Sequence, residues 1–153
     1  MKKWTRIFYH PNLPLGENGE RVTACAEHIE LSKKAAKEGM VLLKNAQKLL
    51  PFAKGTKLAL FGIGTFDYVK GGGGSGDVTI EYAVNLYEGL QKLSYVEISE
   101  ELMDFYRDHD RRISENTYLP GQKPEPALPE ALCQRVRDWT DTAVISISRF
   151  SGE

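Results

Sequence analysis

With 153 residues, 41 % hydrophobic and 27 % charged, the chain has the size and composition of a single soluble globular domain. A formal net charge of −1 supplies no field that would recruit nucleic acid or an anionic membrane surface. Cys25 and Cys133 are the only cysteines and lack CxxC spacing, so they form neither a disulfide scaffold nor a zinc site and fit small buried thiols in a reducing compartment.

Residues 1–22 read as irregular, with turn-rich His10-Pro11-Asn12-Leu13-Pro14 and Gly16-Glu17-Asn18-Gly19. The opening is basic but has no apolar core of signal-peptide length. No stretch approaches the roughly 20 apolar residues of a membrane span. The expected location is the cytoplasm.

A first helix is predicted from a Thr23 N-cap, with Cys25, Ile29, Ser32, Ala36, Met40 and Leu43 on one face and an end before Pro51. Gly39 inside that pattern costs about 1 kcal/mol against alanine, which predicts close packing at that point. Lys57–Gly62 is a short apolar run ending in glycine, the form of a buried parallel strand. A long loop to about Val78 follows, then a helix from about Ile80 to Leu93 with Ile80, Val84, Tyr87 and Leu90 inward. Tyr95–Ile98 is a second strand. Ser99 then caps a helix with an acidic first turn and an inner face of Leu102, Phe105, Tyr106, His109 and Ile113. Pro120–Pro126 reads as a surface loop. Pro129 opens a fourth helix with Leu132, Val136 and Trp139 inward, and Thr142–Ser148 is the third strand.

Strands alternating with helices predict an α/β fold, a three-layer sandwich around a mostly parallel sheet. Three strands and four helices make a narrow sheet, and the expected fold is an incomplete one. The missing strands would come from a longer parent chain or from a second copy pairing with the exposed edge. The domain boundaries are 1–22 for the irregular segment and 23–153 for the partial sandwich.

The most specific string is Lys70-Gly71-Gly72-Gly73-Gly74-Ser75-Gly76-Asp77. Of the 14 glycines, six lie between Gly62 and Gly74, so the clustering is local. A Walker phosphate loop requires Gly-Lys-Ser/Thr where this chain has Gly76-Asp77. A dinucleotide fingerprint starting at Gly62-Ile63-Gly64 has Asp67 in place of its third glycine. A plain flexible loop has no use for Lys70 before the glycines or Ser75-Gly76-Asp77 after them, and four glycines in a row are entropically costly to order. The second distinctive string is Arg149-Phe150-Ser151-Gly152-Glu153, a carboxylate just past an apolar strand, at the edge where open α/β folds carry their chemistry.

These strings resemble glycoside hydrolase family 3, the β-glucosidase and related exo-glycosidase family. Lys70–Val78 resembles the glycine-rich segment of its sandwich domain. Ala35–Asn45 looks like the entry to that domain, Leu49-Leu50-Pro51 and Lys57–Gly62 follow in order, and Ile145–Glu153 resembles the strand and loop bearing the acid/base glutamate. The resemblance covers 28–153, with 94–141 not distinctive. It implies a retaining, exo-acting β-glycosidase in which a separate (β/α)8-type barrel supplies an aspartate nucleophile. The present chain would be the first half of the sandwich domain, lacking the barrel and inactive alone.

The resemblance makes Glu153 the acid/base candidate. Gly74 and Ser75 are candidates for approaching a sugar hydroxyl, and Arg149 for orienting Glu153 or meeting the barrel. Lys70 and Asp77 are better suited to tying down the loop ends. His28 and His109 fit core or surface roles, His10 has no assignable one, and Phe66, Tyr68 and Phe150 are not claimed as sugar-stacking groups. No cofactor and no metal are expected. The expected partners are a β-glucoside in the complete enzyme, the barrel of the same parent, and a second copy at the sheet edge. The alternative is a non-catalytic α/β module binding a nucleotide, a phosphate or a protein.

Overall fold

The computed structural model describes residues 16–19, 22, 24–71, 74–75, 82–116, 118 and 121–148. The chain divides into two units, Met1–Gln47 and Lys48–Glu153.

In the first unit, helix α1 spans Ala26–Gly39. The expected Thr23 cap lies outside the described residues. Cys25 occupies the N-cap position with an extended backbone, and no side-chain cap forms. Exposed Glu30–Lys33 and Lys34–Glu38 ion pairs decorate the helix. The helix does not run on toward Pro51. Met40 is its C-cap, with φ −76° and ψ 129°, so the chain turns extended immediately after Gly39. Glycine weakens the last turn and the β-branched Val41 follows. The predicted inner face is also corrected: no residue of α1 is buried, and Met40–Leu43 are exposed. Among the described residues nothing lies within 4 Å of where a Gly39 side chain would start, so close packing does not account for that glycine. Cys25 and Cys133 are half-buried free thiols rather than buried ones.

The second unit is a parallel sheet with helices packed on it. Strand β1 (Thr56–Phe61) is central. Strand β2 (Val96–Ile98) pairs in parallel with it through Thr56↔Val96 and Leu58↔Ile98. Strand β3 (Ala143–Ile145) pairs in parallel on the other side through Ala59↔Ala143 and Phe61↔Ile145. Leu58, Ala59 and Leu60 are successive and all buried. Because alternate residues point to opposite faces, both faces of β1 are covered. That explains why its sequence is a continuous apolar run rather than an alternating one.

Helix α2 (Leu86–Gln91) is shorter than its periodicity predicts, and Val84 is exposed ahead of it. Ile80 lies outside the described residues. The start is set by a capping box. Asn85 Oδ1 accepts from Glu88 N–H at 2.8 Å while Asn85 N–H donates to Glu88 Oε2 at 3.3 Å.

Helix α3 (Glu100–Ile113) packs on β1 and buries Leu102, Met103 and Tyr106. Met103, absent from the predicted face, is fully buried, whereas Phe105, His109 and Ile113 are half-exposed. Helix α4 (Glu130–Trp139) begins after Pro129 at the N-cap and buries Leu132 and Val136, with Trp139 half-buried. Leu102, Met103, Tyr106, Leu132 and Val136 form one core with Leu58, Ala59 and Leu60 of β1. Fully burying a leucine such as Leu58, Leu60 or Leu102 contributes about 1.5–3 kcal/mol.

The expected α/β class and incomplete parallel sandwich therefore hold: among the described residues there are three parallel strands, with β3 shorter than predicted. Ile145 on β3 and Ile147 just past it are each 70 % exposed. Residues two apart in a strand share one face, so among the described residues that face is uncovered at the end of β3.

Candidate active site

The sheet is parallel, so the carboxyl ends of β1 and β3 open on the same edge, and the segments leaving them are neighbours. Ser146 N–H donates to Phe61 O at 2.8 Å, continuing the ladder one residue past β3. Gly62 then turns sharply at φ +97°. A side chain there would begin 2.1 Å from Ser146 O. At Gly64 it would begin 3.0 Å from Ser146 Oγ and 3.2 Å from Ser148 Cβ. The loop after β1 and the segment after β3 thus touch backbone to backbone, and only a residue without Cβ fits at position 62.

From Gly62 the chain forms a buried single 3-10 turn, Ile63–Thr65. Its polar groups are satisfied from several directions. Gly62 N–H donates to Tyr106 Oη at 2.8 Å, and Ile63 N–H donates to Glu125 Oε1 at 2.8 Å. Thr65, fully buried, donates its N–H to Gly62 O at 3.0 Å and its hydroxyl to Phe61 O at 3.3 Å. Asn85 Nδ2 donates to Phe66 O at 3.3 Å. The Phe66 ring packs edge-on against Tyr106, with centroids 6.0 Å apart, beneath its own loop rather than facing outward.

Asp67 pairs with Lys123 at 3.3 Å, and Lys123 pairs with Asp110 of α3 at 2.8 Å. Burial pushes the Lys123 ammonium down, but the hydrogen bond it donates to Asp110 and the charges of Asp67 and Asp110 outweigh it and hold it above its ordinary value. Burial raises the Tyr106 phenol, and the bond from Gly62 N–H only partly opposes that. Both groups keep their protons through the neutral range.

Of the predicted site residues, Gly74 and Ser75 lie in an exposed bend of the glycine-rich loop. Tyr68 is exposed, and so is Lys70. Glu153, Arg149, Phe150 and Asp77 lie outside the described residues, as does His10. His28 is exposed on α1, and His109 sits on α3 with Nε2 2.9 Å from Pro124 O. Sequence reasoning missed Glu125, Lys123 and Asp67. Only Asp67 carried a local hint, as the residue that spoils the dinucleotide fingerprint. Glu125 meets Ile63 at a separation of 62 residues, and Lys123 joins Asp67 to Asp110, pairings that no local pattern signals.

A concavity lies at the opposite edge of the sheet. A groove of about 530 Å³ sits at the amino ends of β1 and β3, among Thr56, Lys57, Arg137, Trp139 and Thr142. It is lined by strand starts and the end of α4, with Lys57 Nζ 5.3 Å from the Trp139 ring centre. In parallel sheets, ligands bind beyond the carboxyl ends, where the loops have freedom to vary. The glycine-rich loop leaves from that edge. Among the described residues, no group of three or more His, Cys, Asp or Glu could hold a metal ion, and no helix is long and apolar enough to cross a membrane.

Comparison with known proteins follows this geometry. The model of the glycosyl hydrolase family 3 C-terminal domain matches residues 40–147. Beta-glucosidase A of Butyrivibrio fibrisolvens is 58 % identical over 154 residues, an alignment that takes in 100 % of this chain and 19 % of that protein. A beta-glucosidase of Ruminococcus albus is 29 % identical over 136 residues, covering 83 % of this chain and 14 % of its own length. Among solved structures, beta-glucosidase 3B from Thermotoga neapolitana in complex with glucose superposes with a TM-score of 0.73 at 34 % identity. It covers 83 % of this chain and 19 % of its own. A beta-glucosidase from Paenibacillus barengoltzii gives a TM-score of 0.73 at 30 % identity over 84 % of this chain and 15 % of its own. The chain thus spans a fifth or less of these relatives.

Proposed function

Because the chain belongs to glycoside hydrolase family 3, within its C-terminal domain, we propose that it is the part of a retaining, exo-acting β-glucosidase that supplies the proton donor and a sugar-facing loop. One observation carries the proposal. The glycine-rich loop and the segment leading to Glu153 leave adjacent parallel strands at one edge and touch at Gly62–Ser146 and Gly64–Ser148.

Retaining hydrolysis uses two carboxyl groups about 5–5.5 Å apart. An aspartate of the barrel attacks the anomeric carbon as the bond to the leaving oxygen breaks, and Glu153 gives that oxygen its proton. Glu153, now a carboxylate, takes a proton from the water that attacks the glycosyl-enzyme ester, which frees the sugar and restores both groups. For the first step Glu153 must be protonated near neutral pH. The anionic nucleophile close by raises its pKa in that sense. The exposed bend at Gly74 and Ser75 presents backbone amides and a hydroxyl to the terminal sugar, where the absence of Cβ atoms allows close approach. Arg149, four residues before Glu153, orients its carboxylate or meets the barrel. Alone, the chain has no nucleophile and turns over no glucoside.

The test is a hybrid in which this chain replaces the matching segment of the Butyrivibrio Beta-glucosidase A. The hybrid is expected to hydrolyse p-nitrophenyl β-glucoside. Glu153→Gln lowers its kcat by about 10²–10⁴-fold. The loss in the glycosylation step is smaller for a dinitrophenyl leaving group, which departs without a proton. Azide, a nucleophile needing no base, restores turnover of that substrate. Equal losses for both leaving groups, or normal turnover by Glu153→Gln, would rule out the acid/base role.

A further inference from the structure

The described part of the expected Pro120–Pro126 surface loop, residues 121–126, is irregular with Gln122, Pro124 and Glu125 exposed, and it makes four polar contacts that fall into two sets. Toward α3, Lys123 Nζ is 2.8 Å from Asp110 Oδ1, and Pro124 O is 2.9 Å from His109 Nε2. Toward the loop after β1, Glu125 Oε1 accepts from Ile63 N–H at 2.8 Å, and Lys123 Nζ is 3.3 Å from Asp67 Oδ1. The first set fastens the segment to the rigid helix, and the second fastens the loop to the segment.

The points of attachment matter. Gly62 and Ile63 are the first residues past β1, and their N–H groups have no strand to donate to. Tyr106 takes one and Glu125 takes the other. Glu125 is itself exposed, and its carboxylate accepts the N–H of buried Ile63 in a charge-assisted bond. Asp67 is the last residue before the chain runs out toward Gly71 and the exposed bend at Gly74 and Ser75. The two attachments therefore bracket the base of the glycine-rich loop, Ile63 to Asp67.

We propose that segment 121–126 is a latch on the glycine-rich loop, in which Glu125 and Lys123 are positioning residues that fix where the loop's backbone meets the sugar. This rests on the function proposed above but names residues outside both strings that carry it. Neither residue touches substrate. They act through the loop, so their loss misplaces a binding surface rather than removing a reacting group.

Two measurements separate this role from general support of the fold. The first is amide hydrogen exchange on the 153-residue chain with Glu125→Ala and Glu125→Gln. Glu125→Ala is expected to speed exchange at 62–71 by about tenfold or more while Leu58–Leu60 and Leu102–Tyr106 keep their rates. Glu125→Gln retains a carbonyl oxygen for the Ile63 N–H and restores most of the protection. Unchanged exchange at 62–71 would overturn the latch. An equal rise through the core would overturn it as well, because Glu125 would then support the whole fold.

The second measurement is kinetic, in the hybrid enzyme. A displaced loop raises KM for p-nitrophenyl β-glucoside, about tenfold for Glu125→Ala and with recovery in Glu125→Gln, whereas a destabilised enzyme loses kcat at constant KM. Glu153-dependent turnover with an unchanged KM in Glu125→Ala would sink the latch and leave the function standing. A hybrid without Glu153-dependent turnover would sink the function, and the exchange pattern would then decide the latch by itself.

Discussion

Gly62→Ala tests the contact on which the candidate site depends. The added methyl would start 2.1 Å from Ser146 O and 3.1 Å from Ser146 C. Unstrained carbon–oxygen contacts begin near 3.3 Å, so the ends of β1 and β3 would have to part by about 1 Å. Both sides are backbone, so no side-chain rotation relieves the clash. Three costs follow. Holding alanine at φ +97° costs about 1–2 kcal/mol. Stretching the 2.8 Å bond from Ser146 N–H to Phe61 O costs about 1 kcal/mol. Shifting packed backbone costs about 1–3 kcal/mol. The total is about 3–6 kcal/mol, against the 5–15 kcal/mol typical of a whole domain. Gly55→Ala is the control. Gly55 sits at φ +82° with nothing within 4 Å among the described residues, so it carries only the backbone cost of about 1–2 kcal/mol. Urea melts of both variants measure the difference. If Gly62→Ala costs no more than Gly55→Ala, the two strand ends are not in contact and the shared edge is lost as an argument.

Two further outcomes are expected. Lys123 and Tyr106 hold their protons more tightly folded than unfolded, so their contribution to stability is complete below about pH 10 and is lost as pH rises through their folded values, above the usual 10.5 and 10.0. Melting temperatures between pH 8 and 11.5 should fall at the alkaline end, less steeply in Lys123→Met and Tyr106→Phe; a rise would contradict the assigned contacts. Asn85→Ala removes the side-chain half of the capping box, the Oδ1 that accepts from Glu88 N–H, while the backbone N–H that donates to Glu88 remains, and it should cost about 1 kcal/mol in chemical denaturation. Asn85→Asp keeps the cap oxygen but loses the donor to Phe66 O, so it should fall between the two; a neutral Asn85→Ala would mean that packing alone starts α2.

The sequence carried the architecture because the signals involved are local. An unbroken apolar run at Leu58–Leu60 requires burial on both faces, and alternating strands and helices require parallel connections. Ser99 and Pro129 mark helix starts within one residue of where they occur. Periodicity misled where two local signals competed. Met40 and Leu43 continue the spacing of α1, but Gly39 followed by Val41 ends the helix, and the apolar residues beyond lie in extended chain. For α2, the spacing of Ile80 and Val84 outweighed Asn85-x-x-Glu88, a capping box plainly present in the string. Glu125 and Lys123 were illegible for a different reason. A proline-rich stretch with scattered charges looks like any solvated loop until its partners at Ile63 and Asp67 are known, and those lie about sixty residues away in the chain.

The contact between strand ends also bears on how such a site could keep its geometry. If the glycine-rich loop and the segment after β3 were anchored separately, each would drift on its own core contacts, and the spacing between a sugar-facing backbone and a proton donor would vary with both. Here Gly62 lies directly against the Ser146 backbone, and Gly64 lies against the short side chains of Ser146 and Ser148. A displacement of one segment is therefore imposed on the other. Tyr106 and Glu125 then fix that joint to α3 and to segment 121–126. The arrangement sets the relative position of the two segments by main-chain contact, the least adjustable contact a protein has. Under the proposed function that rigidity has a use, since misplacing donor and leaving oxygen by about 1 Å costs about a hundredfold in rate.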